Sequence, residues 1–120
     1  MATFTKVQLS GSTGGRGIKV AATATPGTTI HATGTSTSTL DEVWLYAHNS
    51  SASAAVLTVE WGGVTSPDDL IKLTIPAQSG LTLVVPGLLL AGDGSAARTV
   101  RAFAATTNVI SVSGYVHRVA

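Results

Sequence analysis

The chain predicts an all-β fold, a two-sheet antiparallel β-sandwich of the jelly-roll kind, with an immunoglobulin-like sandwich as the alternative. Three observations predict it. Apolar and polar residues alternate with period two between short turn clusters. The polar share is mostly Thr, Ser and Gly, which suits strands and turns. No segment of helical length carries a 3.6-residue period.

The 120 residues predict one domain, residues 1–120. A chain of this size buries roughly two-thirds of its unfolded surface, enough for a core without disulfides or metal. It has no cysteine, so no disulfide framework is expected.

The elements follow in order. Val7 and Leu9 alternate with Lys6 and Gln8. Residues 10–17, SGSTGGRG, then read as a flexible connection, and residues 1–16 as a mobile N-terminal arm. Ile18, Val20 and Ala22 alternate with Lys19 and Ala21, and Thr25-Pro26-Gly27 signals a turn. A short Thr-rich stretch ends near Thr33, and GTSTST reads as an exposed loop.

Asp41 to Asn49 is the clearest strand. Val43, Leu45 and Ala47 face one side and Trp44, Tyr46 and His48 the other. Leu57, Val59 and Trp61 share a face of the next strand, and the polar NSSASA between the two reads as a hairpin turn. Ser66-Pro67-Asp68-Asp69 resembles a helix start with Pro in its first turn, enough for one turn. Ile71, Leu73 and Ile75 alternate up to Pro76. Leu81, Leu83 and Val85 alternate up to Pro86, where the strand is expected to stop, with Leu88 to Ala91 a separate apolar piece. Val100, Ala102 and Ala104 form one more strand, and Ile110, Val112, Gly114 and Val116 the last.

Seven Lys and Arg against six Asp and Glu lack the clustered basic footprint of a nucleic-acid binder. The first 40 residues hold Lys6, Arg16 and Lys19 and no acid. The opening MATFTKVQLSGS has no apolar h-region, which predicts no secretory leader. The longest apolar run, Val84 to Ala91, is interrupted by Pro86 and Gly87, well short of the roughly 18 residues that span a bilayer. Charged residues make up 11%, against about 25% in ordinary domains. A surface this poor in charge is expected to be covered in part by other subunits.

No catalytic constellation emerges, and no enzyme activity or cofactor is expected. His31, His48 and His117 lie on separate strands without cysteine or a paired-His motif, so they read as surface or interface residues rather than metal ligands. No G-x-S-x-G elbow singles out a serine. Asp68 and Asp69 read as turn formers, and Asp41 and Glu42 as solvated neighbours at a strand start. Residues 11–17 share only composition with a phosphate loop, lacking the G-K-[ST] ending. The Asn49-Ser50-Ser51 sequon has no secretory context. Trp44 and Tyr46 stand opposite Val43 and Leu45, so either theirs is the core face or both faces are covered. Core packing and subunit contact both fit Trp44, Tyr46 and Tyr115, since aromatic residues are enriched at interface cores.

The runs LYAHNSSASAAVLTVEWGG, TSPDDLIKLTIPAQSGLTLVVPGLLL and VRAFAATTNVISVSGYVHRV, within residues 42 to 119, resemble small virion proteins of tailed bacteriophages. In particular they are similar to head decoration, or cement, proteins. The shared features are the polar turn, the Pro-Ala-x-Ser-Gly turn, the Val-Pro-Gly-Leu break and the C-terminal Val-x-Gly-Tyr-Val strand. The resemblance implies a protein assembled in the bacterial cytoplasm that binds the outside of a capsid, often as a homotrimer, and stabilises the shell. Its partners would be the major capsid protein and copies of itself, with no direct nucleic-acid or membrane contact. On this reading Lys6, Arg16, Lys19, Trp44, Tyr46 and Tyr115 are interface residues. The segment through Arg16 and the edge near Lys19 would face the capsid, and deleting residues 2–16 would abolish binding with the fold retained. The alternatives are another virion component (a head–tail connector, tail or fibre protein) or a carbohydrate-binding module using Trp44 and Trp61.

Overall fold

The structure, a computed structural model, describes residues 2–120. Among the described residues are nine strands: β1 (Phe4–Gln8), β2 (Ile18–Lys19), β3 (Thr28–Ala32), β4 (Leu40–Asn49), β5 (Ala55–Trp61), β6 (Leu70–Ile75), β7 (Thr82–Leu90), β8 (Thr99–Ala104) and β9 (Ile110–Val119). The first sheet runs β1-β9-β4-β7, with the short β2 also on β9, and the second runs β3-β8-β5-β6. Every pairing is antiparallel.

The strand order decides between the two sandwich types. β1 pairs β9, β3 pairs β8, β4 pairs β7 and β5 pairs β6. These nested pairs are what a long antiparallel hairpin leaves when it is rolled onto itself, the jelly-roll arrangement. An immunoglobulin sandwich groups its strands differently.

Alternation sets the core. Val43, Leu45 and Ala47 of β4 point inward and are fully buried, while Trp44 and Tyr46 are half-buried on the outer face. Leu57, Val59 and Ala102 of the second sheet belong to the same buried cluster, as do Val116 beside Val43 on β9 and Leu9, Ile30 and Ile110. Each fully buried Leu or Ile here contributes about 1.5–3 kcal/mol of hydrophobic stabilisation.

Three expectations change. β4 and β5 are not a hairpin, since they lie in different sheets. The intervening loop is a corner held by Asn49, whose buried amide donates to the carbonyls of Ser53 (2.8 Å) and Ile75 (3.2 Å), while its oxygen accepts from Ser51. β7 continues through Pro86. Two bulges, at Val84 and Gly87, absorb the change of register against β4, and an edge strand tolerates a residue that lacks an N–H. The one turn expected after Ser66 forms as a turn closed by Asp69 N–H on the Thr65 carbonyl, without growing into a helix.

The third concerns the N-terminal arm. Residues 4–8 are β1, an edge strand paired along its length with β9. Leu9 is buried in the core, and Gly11 N–H bonds the Ile30 carbonyl. Deleting residues 2–16 would therefore strip an edge strand and empty a core position. Loss of binding on that deletion would not be separable from damage to the fold.

Candidate functional site

The outer face of the first sheet brings four of the six expected interface residues together. The β4–β9 register puts Trp44 opposite Tyr115, and the β1–β9 register puts Lys6 one row away, opposite His117. Trp44 and Tyr115 stack with ring centroids 6.2 Å apart and an interplanar angle of 10°. Lys6 Nζ lies 5.5 Å from the Tyr115 centroid, a cation–π approach. On the other flank, Gly87 of β7 lies against the indole. A Cβ there would come within 2.8 Å of Trp44 Cζ2 and 2.9 Å of Cε2. The φ of Gly87, +82°, is also one that favours glycine. Across the sheet the order is thus Gly87, Trp44, Tyr115, Lys6. The two rings thus lie against one another, with Gly87 beside the indole and Lys6 over the phenol ring.

The same face carries Tyr46 beside Leu83 of β7, and Glu42 between His117 and Leu89. Glu42 Oε2 is 3.6 Å from His117 Nδ1, and Phe4 tilts against the His117 ring at 5.9 Å. Phe4, Leu83 and Leu89 are 65%, 47% and 56% exposed, large apolar groups left in water. The surface is flat, and no pocket opens among the described residues. Lys19 is exposed on β2 opposite Ser111, farther along the same sheet, and Arg16 is exposed in the loop between β1 and β2. Neither joins the aromatic row. Trp61 belongs to the second sheet, so it shares no face with Trp44.

A second constellation was missed because its members were expected to be solvated or at the surface. His31 and Asp41 are both buried, at 1% and 0% exposure. His31 Nε2 lies 2.8 Å from Asp41 Oδ2. Arg118 binds the same carboxylate twice, Nε to Oδ1 at 2.7 Å and Nη2 to Oδ2 at 3.0 Å. Ser10 N–H donates to His31 Nδ1 at 3.1 Å, which assigns the ring proton to Nε2, where it is donated to Asp41. Burial pushes the Asp41 carboxyl up, and that is the largest single influence. The hydrogen bonds from Arg118 and His31, with the Arg118 charge, together outweigh it and hold the group below the usual aspartate range.

This trio resembles part of a catalytic relay only in composition. Both ring nitrogens are engaged and the ring is sealed from solvent, so neither can take a proton from a substrate. The arrangement ties β3, β4, β9 and the end of β1 into one end of the sandwich. Parity held the clue: Asp41 is in phase with Val43 and Leu45, and Arg118 with Val116.

Glu60 is the other buried carboxylate. It stands on the outer face of the second sheet, beneath the segment between β2 and β3. Thr25 Oγ1 donates to Oε2 at 2.5 Å and Gly27 N–H to Oε1 at 2.7 Å. Gly27 runs so close to the Ala102 backbone that a Cβ would collide with it at 2.5 Å. No group of three or more His, Cys, Asp or Glu among the described residues is placed to hold a metal ion.

Fold and face together define a jelly-roll sandwich with one outer sheet face bearing an uncovered aromatic row. Comparison with known proteins returned no match to a family model, a curated protein or a solved structure.

Proposed function

We infer that this chain is a structural protein that works by protein–protein contact through the outer face of its first sheet, and that its setting is the surface of a tailed-phage head. The single observation that carries the contact reading is the row Lys6, Tyr115, Trp44, Gly87 with its apolar surround, Phe4, Leu83 and Leu89, on a flat sheet. Interface cores are enriched in aromatic residues, and this face carries Phe4, Trp44, Tyr46 and Tyr115. The phage-head setting rests on the resemblance of residues 42 to 119 to decoration proteins. The major capsid protein is the corresponding partner, and capsid stabilisation the corresponding role.

The geometry favours a protein partner over a sugar. A pyranose packs on an open aromatic face, and Trp44 and Tyr115 lie against each other, with Gly87 beside the indole and Lys6 over the phenol ring.

The test is co-sedimentation of the full chain with empty head shells encoded alongside it. Saturable binding is expected for the wild type, and a loss of at least tenfold in affinity for Leu83→Lys and Tyr46→Lys. Absence of binding by a folded wild-type chain would overturn the capsid setting. Equal binding by both variants would overturn the choice of face.

A further inference from the structure

We propose that β6 is an acceptor edge, on which an extended segment of a partner protein pairs as a fifth strand of the second sheet. The proposal goes beyond the outer-face reading, because it uses the free edge of the second sheet and the seam between the sheets.

β1 and β7 are the edges of the first sheet, and β3 and β6 those of the second. β7 is interrupted by Pro86 and two bulges. β3 is irregular between Thr29 and His31, and the chain already bonds it: Gly11 N–H donates to the Ile30 carbonyl and Ala32 N–H to Ser10 Oγ. β6 is unbroken, paired with β5 from Leu70 to its end without a bulge.

The ladder fixes which backbone groups of β6 are free. Trp61 N–H donates to the Asp69 carbonyl, and the Val56 carbonyl on the far side of β5 accepts from Ala105 N–H. Backbone direction alternates along an antiparallel pair. Ile71, Leu73 and Ile75 therefore turn their N–H and C=O toward β5, and Leu70, Lys72 and Thr74 turn theirs away. Leu70 N–H is taken by the Pro67 carbonyl. The N–H groups of Lys72 and Thr74, and the carbonyls of Leu70, Lys72 and Thr74, have no partner among the described residues.

The seam beside this row is open. Ile71 and Leu73 stand opposite Val59 and Leu57, so they point inward, yet they are half-buried where Val59 and Leu57 are sealed. Leu88 of β7 stands opposite Val43, also inward, and is 42% exposed. The other side of the sandwich is closed, because Leu9 and Ile30 are buried where the end of β1 meets β3. A strand added to β6 would alternate in the same way, and its inward side chains would cover this seam. Backbone bonds to an edge, with alternate side chains buried, are how strand addition binds.

The edge also states what the segment carries. The one charge on β6 is Lys72, exposed at mid-strand on the outward parity, and Asp68 and Asp69 stand ahead of the strand in the turn. The segment has apolar side chains at every second position and a carboxylate beside Lys72. A second copy fits poorly. Thr3 and Ala120 exchange both backbone bonds, so the other free row is Phe4, Lys6 and Gln8 of β1. Either row of a copy would bring a mid-strand lysine to Lys72, and like charges on neighbouring strands repel.

The test is amide exchange on the full chain by nuclear magnetic resonance. Without a partner, Lys72 and Thr74 N–H should exchange fast, and Ile71 and Leu73 N–H slowly. The probe is a synthetic peptide of about six residues, valine alternating with threonine, with a glutamate in place of the central threonine. It should slow Lys72 and Thr74 N–H at least tenfold and leave Lys6 N–H unchanged. Lysine in place of its glutamate should weaken it several-fold. Thr74→Pro removes an N–H that already faces outward, so the ladder to β5 survives. It should abolish the protection while circular dichroism stays that of the wild type. Leu88→Ser, which leaves the edge backbone intact, should weaken the peptide at least threefold. Slow exchange at Lys72 and Thr74 in the free, dilute chain would overturn the proposal. So would a peptide that gives no protection or protects Lys6 instead, or a folded Thr74→Pro chain that binds it like the wild type. Protection that grows with protein concentration alone would give the edge to a second copy and overturn the choice of partner. None of these readouts involves shell binding, so they stand or fall apart from the proposed function.

Discussion

β4 and β5 are the central strands of their sheets, and their outer faces are finished in opposite ways. On β5 the outward Thr58 and Glu60 are buried, 3% and 0% exposed, and Glu60 sits under Thr25 and Gly27. On β4 the outward Glu42, Trp44, Tyr46 and His48 stay half-exposed, with nothing of the chain above them. The chain thus covers a carboxylate with its own backbone and leaves its aromatic rings in water. Hydrophobic stabilisation alone would favour the reverse, since covering a ring is favourable and covering a charge is costly. The difference separates a face completed by the chain from a face that needs something else to complete it.

The largest test of that comparison lies at the end of the sandwich beneath β4. Asp41→Ala would leave Arg118 and His31 without their acceptor at a buried position. Removing one member of a buried ion pair costs about 3–5 kcal/mol. Urea unfolding should therefore show a sharply lowered midpoint. A loss under about 1 kcal/mol would mean that water or another group replaces the carboxylate.

The same carboxylate sets the acid response. The Asp41 carboxyl is lowered in the folded chain from the ordinary 3.8, so the folded state holds its proton less tightly than the unfolded one. Its contribution is complete above the unfolded value and is lost as the pH falls through the lower folded value. Urea midpoints should stay level from neutrality toward about pH 5 and then fall. The fall should be shallower in Asp41→Asn. Parallel acid profiles in the two proteins would remove Asp41 from the account.

Glu60→Ala comes next, because it deprives Thr25 Oγ1 and Gly27 N–H of a charged acceptor, at about 2 kcal/mol. The loss should be local. Amide exchange should speed up over residues 21–27 and remain slow in β4 and β9. If exchange rises equally everywhere, the segment is not a separate roof over the second sheet. Gly87→Ala then probes the open face. Its φ of +82° and the nearby indole together cost about 1–3 kcal/mol. Trp44 must also move, so a change in near-ultraviolet circular dichroism should accompany the lower stability.

Much of the fold was legible because burial in a sandwich follows side-chain parity. Val43, Leu45 and Ala47 on β4, and Val100, Ala102 and Ala104 on β8, announced their facing by alternation alone. Trp44 and Tyr46 were legible as sharing one side of their strand, whereas Lys6 and Tyr115 joining them on that face was not, because strand order is invisible to alternation. Arg118 lies 77 positions from Asp41, and no local pattern announces that contact. Glu60 misleads from the other direction: parity places it outward, correctly, and only the remote segment at Thr25–Gly27 buries it. β1 was legible as an alternating segment at Lys6–Leu9, but its docking on β9 was not, because the glycine-rich stretch after it resembled the base of a loose arm.

The smallest stability effect is the most informative about function. Leu83 is about half-exposed on the edge strand, beside Tyr46, and a lysine there can extend into water. Leu83→Lys should therefore leave stability within about 0.5 kcal/mol of the wild type. Yet it places a charge at the margin of the aromatic row, where a partner's apolar surface would have to desolvate it. A face that exists only to complete the fold would register the change in stability or not at all. A face built for contact registers it in binding while the unfolding midpoint stays where it was. That split between an unmoved urea midpoint and a lost complex is the outcome expected, and a variant that binds like the wild type would return the outer face of β4 to ordinary surface.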